Sequence, residues 1–196
     1  MDMSIFQVKS DNLRPDKGRI LMSSPFLHDP NFIRSVILMI EHDDKGAMGV
    51  AVNGVFRPAV FLNDMMDGIS TQERIPVFNG GPVGRDTLFF VHNFKDMPGA
   101  MPLTPELSLN GDFDNLVERI NGGEKMRGRC RFYVGYSGWG EGQIEGEIEE
   151  CTWLVGVSRP GIILDHPVPD IWYESMKSMG GRYALWADYP LFPFLG

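Results

Sequence analysis

Glycine, serine and aromatic residues crowd into Gly135-Tyr136-Ser137-Gly138-Trp139-Gly140, between an apolar run and a carboxylate-rich segment. A serine between a strand and a helix is the setting of a hydrolase nucleophile elbow, whose tight turn lifts Ser Oγ above the sheet edge. Asp165 and His166 follow later, in the order such enzymes use. The elbow, however, needs glycine two residues before and two after the serine. Trp139 stands where the second glycine belongs, and glycine comes one step late at Gly140. The segment reads instead as a tight strand–helix junction whose small residues let backbones approach.

The next stretch, Gly140 to Glu150, is rich in carboxylates. Read as a helix from about Trp139, it buries Ile144 and Ile148 on one side. Trp139, Gln143, Gly146 and Glu150 fall on a second side, and Glu141, Glu145 and Glu149 on a third. Carboxylates could act as acid and base or hold a divalent ion, provided other segments converge on them. A row of Glu at this spacing is by itself a solvated face.

The other groups capable of chemistry are scattered. His28, His42, His92 and His166 show no metal-ligand spacing. Glu41-His42 lies at a strand end, where adjacent side chains point to opposite faces and cannot chelate together. Asn79-Gly80-Gly81-Pro82 could offer backbone N–H groups to an anion, but it lacks the nucleotide-binding glycine spacings and also reads as a tight turn. No cofactor and no metal is implied.

The elements that must position these residues follow from periodicity. Gly18 to Ser23 is a short strand. Val36 to Ile40 is continuously apolar, which predicts a strand covered on both faces. Asp43-Asp44-Lys45-Gly46 turns the chain into a partner strand, Ala47 to Asn53, in which Gly49 implies a bulge or close backbone approach. Pro58 can open a short helix through Phe61, Leu62, Met65 and Met66. Strands follow at Ile75 to Phe78 and Thr87 to His92. Asp112 caps a helix with Phe113, Leu116, Val117 and Ile120 on one face and Gly122 at its end. Arg129 to Tyr136 and Cys151 to Ser158 read as strands. A last helix runs from about Asp170 to Gly180-Gly181. The aromatic tail, Tyr183 to Leu195, either caps the core or offers a strand to a partner.

The bulk properties narrow the class. At 196 residues, 43% hydrophobic and without a compositional boundary, the chain reads as a single domain over 1–196 with a core of its own. About seven strands and four helices in mixed order, with a hairpin among them, point to a mixed sheet surrounded by helices. Cys130 and Cys151 read as reduced core thiols. The N-terminal residues carry no export pattern and no run is long enough to span a bilayer, so a cytoplasmic protein without membrane contact is expected. A net charge of −8 disfavours direct binding to nucleic acid. The one basic row, Lys125, Arg127, Arg129 and Arg131, reads as the solvated side of an edge strand.

Several segments together resemble the YqgE/AlgH family of small bacterial proteins. They are Gly18-Arg19-Ile20-Leu21, Asp29-Pro30-Asn31-Phe32, Arg34-Ser35-Val36, Glu41-His42 and Gly46-Ala47-Met48-Gly49 leading to Asn53. Gly80-Gly81-Pro82-Val83, Gly135 to Trp139, Gly142-Gln143-Ile144-Glu145 and Trp153 complete the match. The resemblance implies an α+β fold: a mixed, branched β-sheet including a small barrel, surrounded by helices. Members are often labelled transcriptional regulators, and no activity or cofactor is established for them as a class. Relatives usually place a basic residue and proline directly after the asparagine matching Asn53. Here Gly54-Val55-Phe56 intervene before Arg57-Pro58. Many relatives carry alanine at the position of Ser137, which an essential nucleophile would not allow.

The expectation is therefore a non-catalytic regulatory protein that binds a protein or small-molecule partner. The binding candidates are Asp29, Asn31, Arg34, Glu41, His42, Asn53, Gly80, Gly81, Trp139 and Gln143, at strand ends and loops where functional groups gather. The alternative is a hydrolase or acid–base enzyme using Ser137 with His166, or the Glu141–Glu150 carboxylates.

Overall fold

The computed structural model describes residues 13–27 and 29–190. His28, and Phe192 and Phe194 of the aromatic tail, lie outside the described residues. The strands are β1 (Arg19–Ser23), β2 (Val36–Asp43), β3 (Gly46–Ala51), β4 (Val60–Phe61), β5 (Pro76–Asn79), β6 (Val83–His92), β7 (Met101–Pro102), β8 (Ser108–Leu109), β9 (Cys130–Gly140) and β10 (Trp153–Val157). The helices are α1 (Leu62–Met65), α2 (Phe113–Asn121), α3 (Gln143–Glu149), α4 (Pro160–Leu164), α5 (Ile171–Met179) and α6 (Gly181–Ala187).

The main sheet runs β10-β1-β2-β3-β9-β6-β8-β7, with β5 joined to β9 and β4 to β5. At 11 residues β9 is long enough for its two halves to serve different neighbours. Phe132 to Val134 lie between a parallel β5 and an antiparallel β6, whereas Ser137 to Gly140 pair with β3. That exchange of partners branches the sheet and makes it mixed. The result is an α+β fold whose sheet curls into a half-barrel. The basic row is not the solvated side of an edge strand: Lys125, Arg127 and Arg129 are exposed before β9 begins, and Arg131 is half-buried on this interior strand.

β2 shows why the sheet needs cover on both faces. Val36 to Ile40 are all fully buried. Val36, Leu38 and Ile40 join the core under α5 and α6, while Ile37 and Met39 join the core under α3. Burying each such aliphatic side chain contributes about 1.5–3 kcal/mol. A register shift between Met39 and Glu41 then brings His42 opposite Ala47 and Glu41 opposite Met48. Ala47 belongs to the α3 side and Met48 packs on the other. The bulge therefore turns His42 towards α3.

Two local expectations need correction. The glycine-rich helix does not start at Trp139: β9 continues to Gly140 because Trp139 pairs with Ala47 and is buried, and α3 begins at Gln143 after Gly142 at φ 67°. Pro58 does not open a helix, since β4 comes first and α1 is one turn. Of the two readings of the tail, its described part takes the first: it is helical and caps the core, since Tyr183, Trp186 and Ala187 recur at helical spacing and are buried in the α5–α6 core. Of the two thiols, Cys130 is buried but Cys151 is half-buried in a turn before β10. Burial holds the Cys130 thiol well above its ordinary pKa. Among the described residues, no helix is long and apolar enough to cross a membrane.

Candidate functional site

Four segments meet beside the β3–β9 pair and enclose a cleft of about 110 Å3, with Asn31, Phe32, Asn79, Gly81, Arg85 and Ser137 among its walls. Asp29 builds the first wall. Its carboxylate accepts the Asn31 amide at 2.8 Å, and its carbonyl accepts the Phe32 and Ile33 amides. Asn53 pins this turn to the sheet. Its Oδ1 accepts the Val36 amide at 2.9 Å and its Nδ2 donates to the Arg34 carbonyl at 2.7 Å. Arg34 sends its guanidinium to the Tyr189 carbonyl and over the Trp172 ring, 4.9 Å from its centroid.

The opposite wall is Asn79-Gly80-Gly81. The Gly80 amide donates to the Val134 carbonyl at 2.8 Å, and the Gly80 carbonyl accepts the Ala51 amide at 2.8 Å. Asn79 Oδ1 takes the Gly81 amide at 3.2 Å. Both glycine amides are committed, so the loop is a strut and not an anion nest. A Cβ on Gly81, at φ 152°, would lie 2.1 Å from the Tyr136 carbonyl carbon. Only glycine lets this loop lie flat against β9. Ser137 is opposite Gly49 on β3, 3% exposed, and its Oγ has no hydrogen-bond partner among the described residues.

A second cluster gathers where α3 crosses the same face. His42 Nε2 meets Glu145 Oε1 at 2.7 Å. Gln143 Oε1 accepts the Gly140 amide at 3.0 Å and joins the end of β9 to the start of α3. Glu147, which the sequence does not single out, is the hub. Its Oε2 accepts the indole N–H of Trp139 at 3.0 Å and of Trp153 at 2.7 Å, and its Oε1 accepts Gln143 Nε2 at 2.8 Å. Trp153 packs edge-on against both Trp139 and Phe32. Aromatic contact thus links the α3 cluster to the cleft.

The structure therefore divides the ten candidates. Asn31 and Gly81 line the cleft, and Asp29, Arg34, Asn53 and Gly80 hold its walls. His42, Trp139 and Gln143 belong to the α3 cluster, and Glu41 is exposed at the end of β2. His42, Asn53 and Trp139 do not line one shared cavity. Ser137 is not on a strand–helix turn, and His166 lines a different cavity. The carboxylates of α3 do not converge with other acidic groups, and among the described residues no cluster of three or more His, Cys, Asp or Glu could hold a metal.

The sequence carries no signal for that other cavity, since Arg131 in its lining reads as part of the basic row. The cavity measures about 430 Å3 and opens between the start of β9, β5 and the loop after α4. Arg131 donates from Nη2 to the His166 carbonyl and lies over the Phe78 ring, 5.5 Å from its centroid. Burial pushes its pKa down, while the nearby Tyr133 and Asp165 oppose that shift. Burial also raises the pKa of Tyr133, whose hydroxyl stays protonated beside the guanidinium.

Residues 20–184 match a family model described as AlgH-like. A UPF0301 protein of Bacteroides thetaiotaomicron is 39% identical over 193 residues, covering 98% of this chain and 97% of that protein. A UPF0301 protein of Bacteroides fragilis is 38% identical over 196 residues, covering 100% and 98%. The solution structure of AlgH from Pseudomonas aeruginosa superposes with a TM-score of 0.68 at 25% identity, covering 93% of this chain and 98% of that one. The crystal structure of protein DIP2367 from Corynebacterium diphtheriae has the same fold, with a TM-score of 0.76 at 22% identity over 96% and 98%. With a family model spanning most of its length and close relatives matched end to end, this chain belongs to the AlgH-like family.

Proposed function

We propose that the protein is a cytoplasmic regulator that acts by holding a partner or small ligand at the Asn31–Gly81–Ser137 cleft, without transforming it. One observation carries this reading: the polar side chains that build the cleft walls, Asp29, Asn53 and Asn79, are spent on its own backbone. Groups locked in this way shape a surface, whereas acid–base chemistry needs a titratable group free to exchange protons with a substrate. Asn31 and Arg85 are the exposed polar residues left at the rim. Ser137 Oγ is recessed, and the histidine that would activate it belongs to another cavity.

The test is a pull-down from clarified native lysate with immobilised wild type and Arg85→Glu, read by mass spectrometry. A partner kept by wild type and lost by the variant is expected. Identical recoveries would overturn the reading, as would turnover of a defined metabolite that Ser137→Ala abolishes. Labelling of Ser137 by a fluorophosphonate would favour the hydrolase alternative.

A further inference from the structure

The cavity at the start of β9 contains a guanidinium that, among the described residues, has Asp165 nearby but no ion pair in contact. Arg74, on its rim, is gripped by Asp64 through two hydrogen bonds of 2.8 and 2.7 Å. Arg127 faces Asp165 at 3.8 Å. Arg131 lies deeper, and among the described residues no carboxylate forms an ion pair with it. Its Nη2 is used by the His166 carbonyl, but its Nη1 is buried with no hydrogen-bond partner among the described residues. The Tyr133 hydroxyl sits beside the guanidinium and favours its charge, and by geometry it too is left without a hydrogen-bond partner among the described residues.

A buried N–H without a partner is costly, and on a half-buried cation it is ordinarily matched by an acceptor. The missing complement is an anionic oxygen. A guanidinium engaged at Nη2 and lying over an aromatic ring still has N–H donors to give, and their planar fork suits a carboxylate. A phosphate dianion would need more positive charge than a single arginine supplies. The rest of the lining is mixed: Phe78, Met126, Leu164 and Val168 form an apolar wall, while Glu73 and Asp165 are exposed carboxylates, Asp165 opposite Arg127. A volume of about 430 Å3 falls in the range of small-molecule sites.

We propose that this cavity binds a small monocarboxylate with an apolar body, its carboxylate held by the Arg131 guanidinium and its body packed on Phe78, Leu164 and Val168. The site is separate from the cleft proposed above and shares no lining residue with it.

The experiment is a backbone-amide NMR titration of the intact protein with 4-phenylbutyrate, its neutral amide 4-phenylbutyramide, and inorganic phosphate. Saturable shifts at Phe78, Arg131 and Val168 with phenylbutyrate alone are expected. Arg131→Met should weaken that binding about tenfold to a hundredfold, the range of one charge-assisted hydrogen bond. Since this variant also loses the His166 tie, Val168→Trp provides a second arm: it fills the cavity, keeps Arg131, and should abolish binding with the amide spectrum otherwise folded. The proposal is overturned if phenylbutyrate does not bind, if the amide or phosphate binds as well, or if Val168→Trp binds like wild type. Shifts confined to Asn31 and Arg85 would overturn it too, while leaving the cleft reading standing.

Discussion

Glu147 serves the scaffold more than its neighbours do, although the sequence places it among five similar carboxylates. It receives two indole N–H groups and the Gln143 amide, so its loss would strand two donors on the mostly buried Trp139 and Trp153. Glu145 makes one contact to His42 and is about half exposed, 47% at the side chain. Pairs of that kind are worth little. Glu147→Ala should therefore cost about 2–4 kcal/mol in urea unfolding and redshift tryptophan emission. Glu145→Ala should stay within about 0.5 kcal/mol. Equal costs for the two would show that the indole bonds are not what holds α3 to the sheet.

At the scale of elements, the cleft depends on how closely a loop can approach a strand. The Asn79-Gly80-Gly81 turn lies against the β9 backbone at Gly135 and Tyr136, and Gly81 has a backbone conformation that side chains avoid. Gly81→Ala adds strain of about 1–3 kcal/mol and displaces hydrogen bonds of about 1 kcal/mol each. A total loss near 3 kcal/mol or more is expected, with amide shifts at Ala51 and Val134, whose bonds to Gly80 would break. Gly146 in α3 is the contrast, since a Cβ there meets nothing within 4 Å. Gly146→Ala should stabilise by about 0.5–1 kcal/mol. Thermal melts of both variants check the pair, and a Gly81→Ala protein as stable as wild type would remove the argument for close approach.

For the molecule as a whole, stability against acid depends on a buried histidine outside both cavities. His92 is fully buried between Phe90 and Phe94. Its Nδ1 accepts the Phe94 amide at 3.1 Å, so Nε2 carries the proton donated to the Asn110 carbonyl at 2.8 Å. Burial, assisted by Arg119, lowers its pKa against the opposing pull of that carbonyl. The unfolded chain thus binds the proton more tightly than the fold does. This contribution to stability is complete above the unfolded value of about 6.5 and is lost as pH falls from there towards the lower folded value. The Tm of wild type should drop more between pH 7.5 and pH 5 than that of His92→Gln. Parallel curves would assign acid sensitivity to other groups.

Local pattern alone determined much of this architecture. The unbroken apolar run of β2 required cover on both faces, and Asp112 and Gly122 bound α2 as read, with the Asp112 side chain accepting the Asn115 amide. Gly49 marked a close approach: a Cβ there would lie 2.5 Å from the Ile37 side chain. Asn31, Gly81 and their supports were legible because turns and glycines are short-range features. Only the tertiary structure decided that Trp139 ends a strand, that Ser137 and His166 face different spaces, and that Arg131 turns inward while its basic neighbours Arg127 and Arg129 are exposed. The reason is that β9 takes its partners from β3, β5 and β6, far away in the chain. Such pairings set which side of a strand is buried, and residue order at short range carries no record of them.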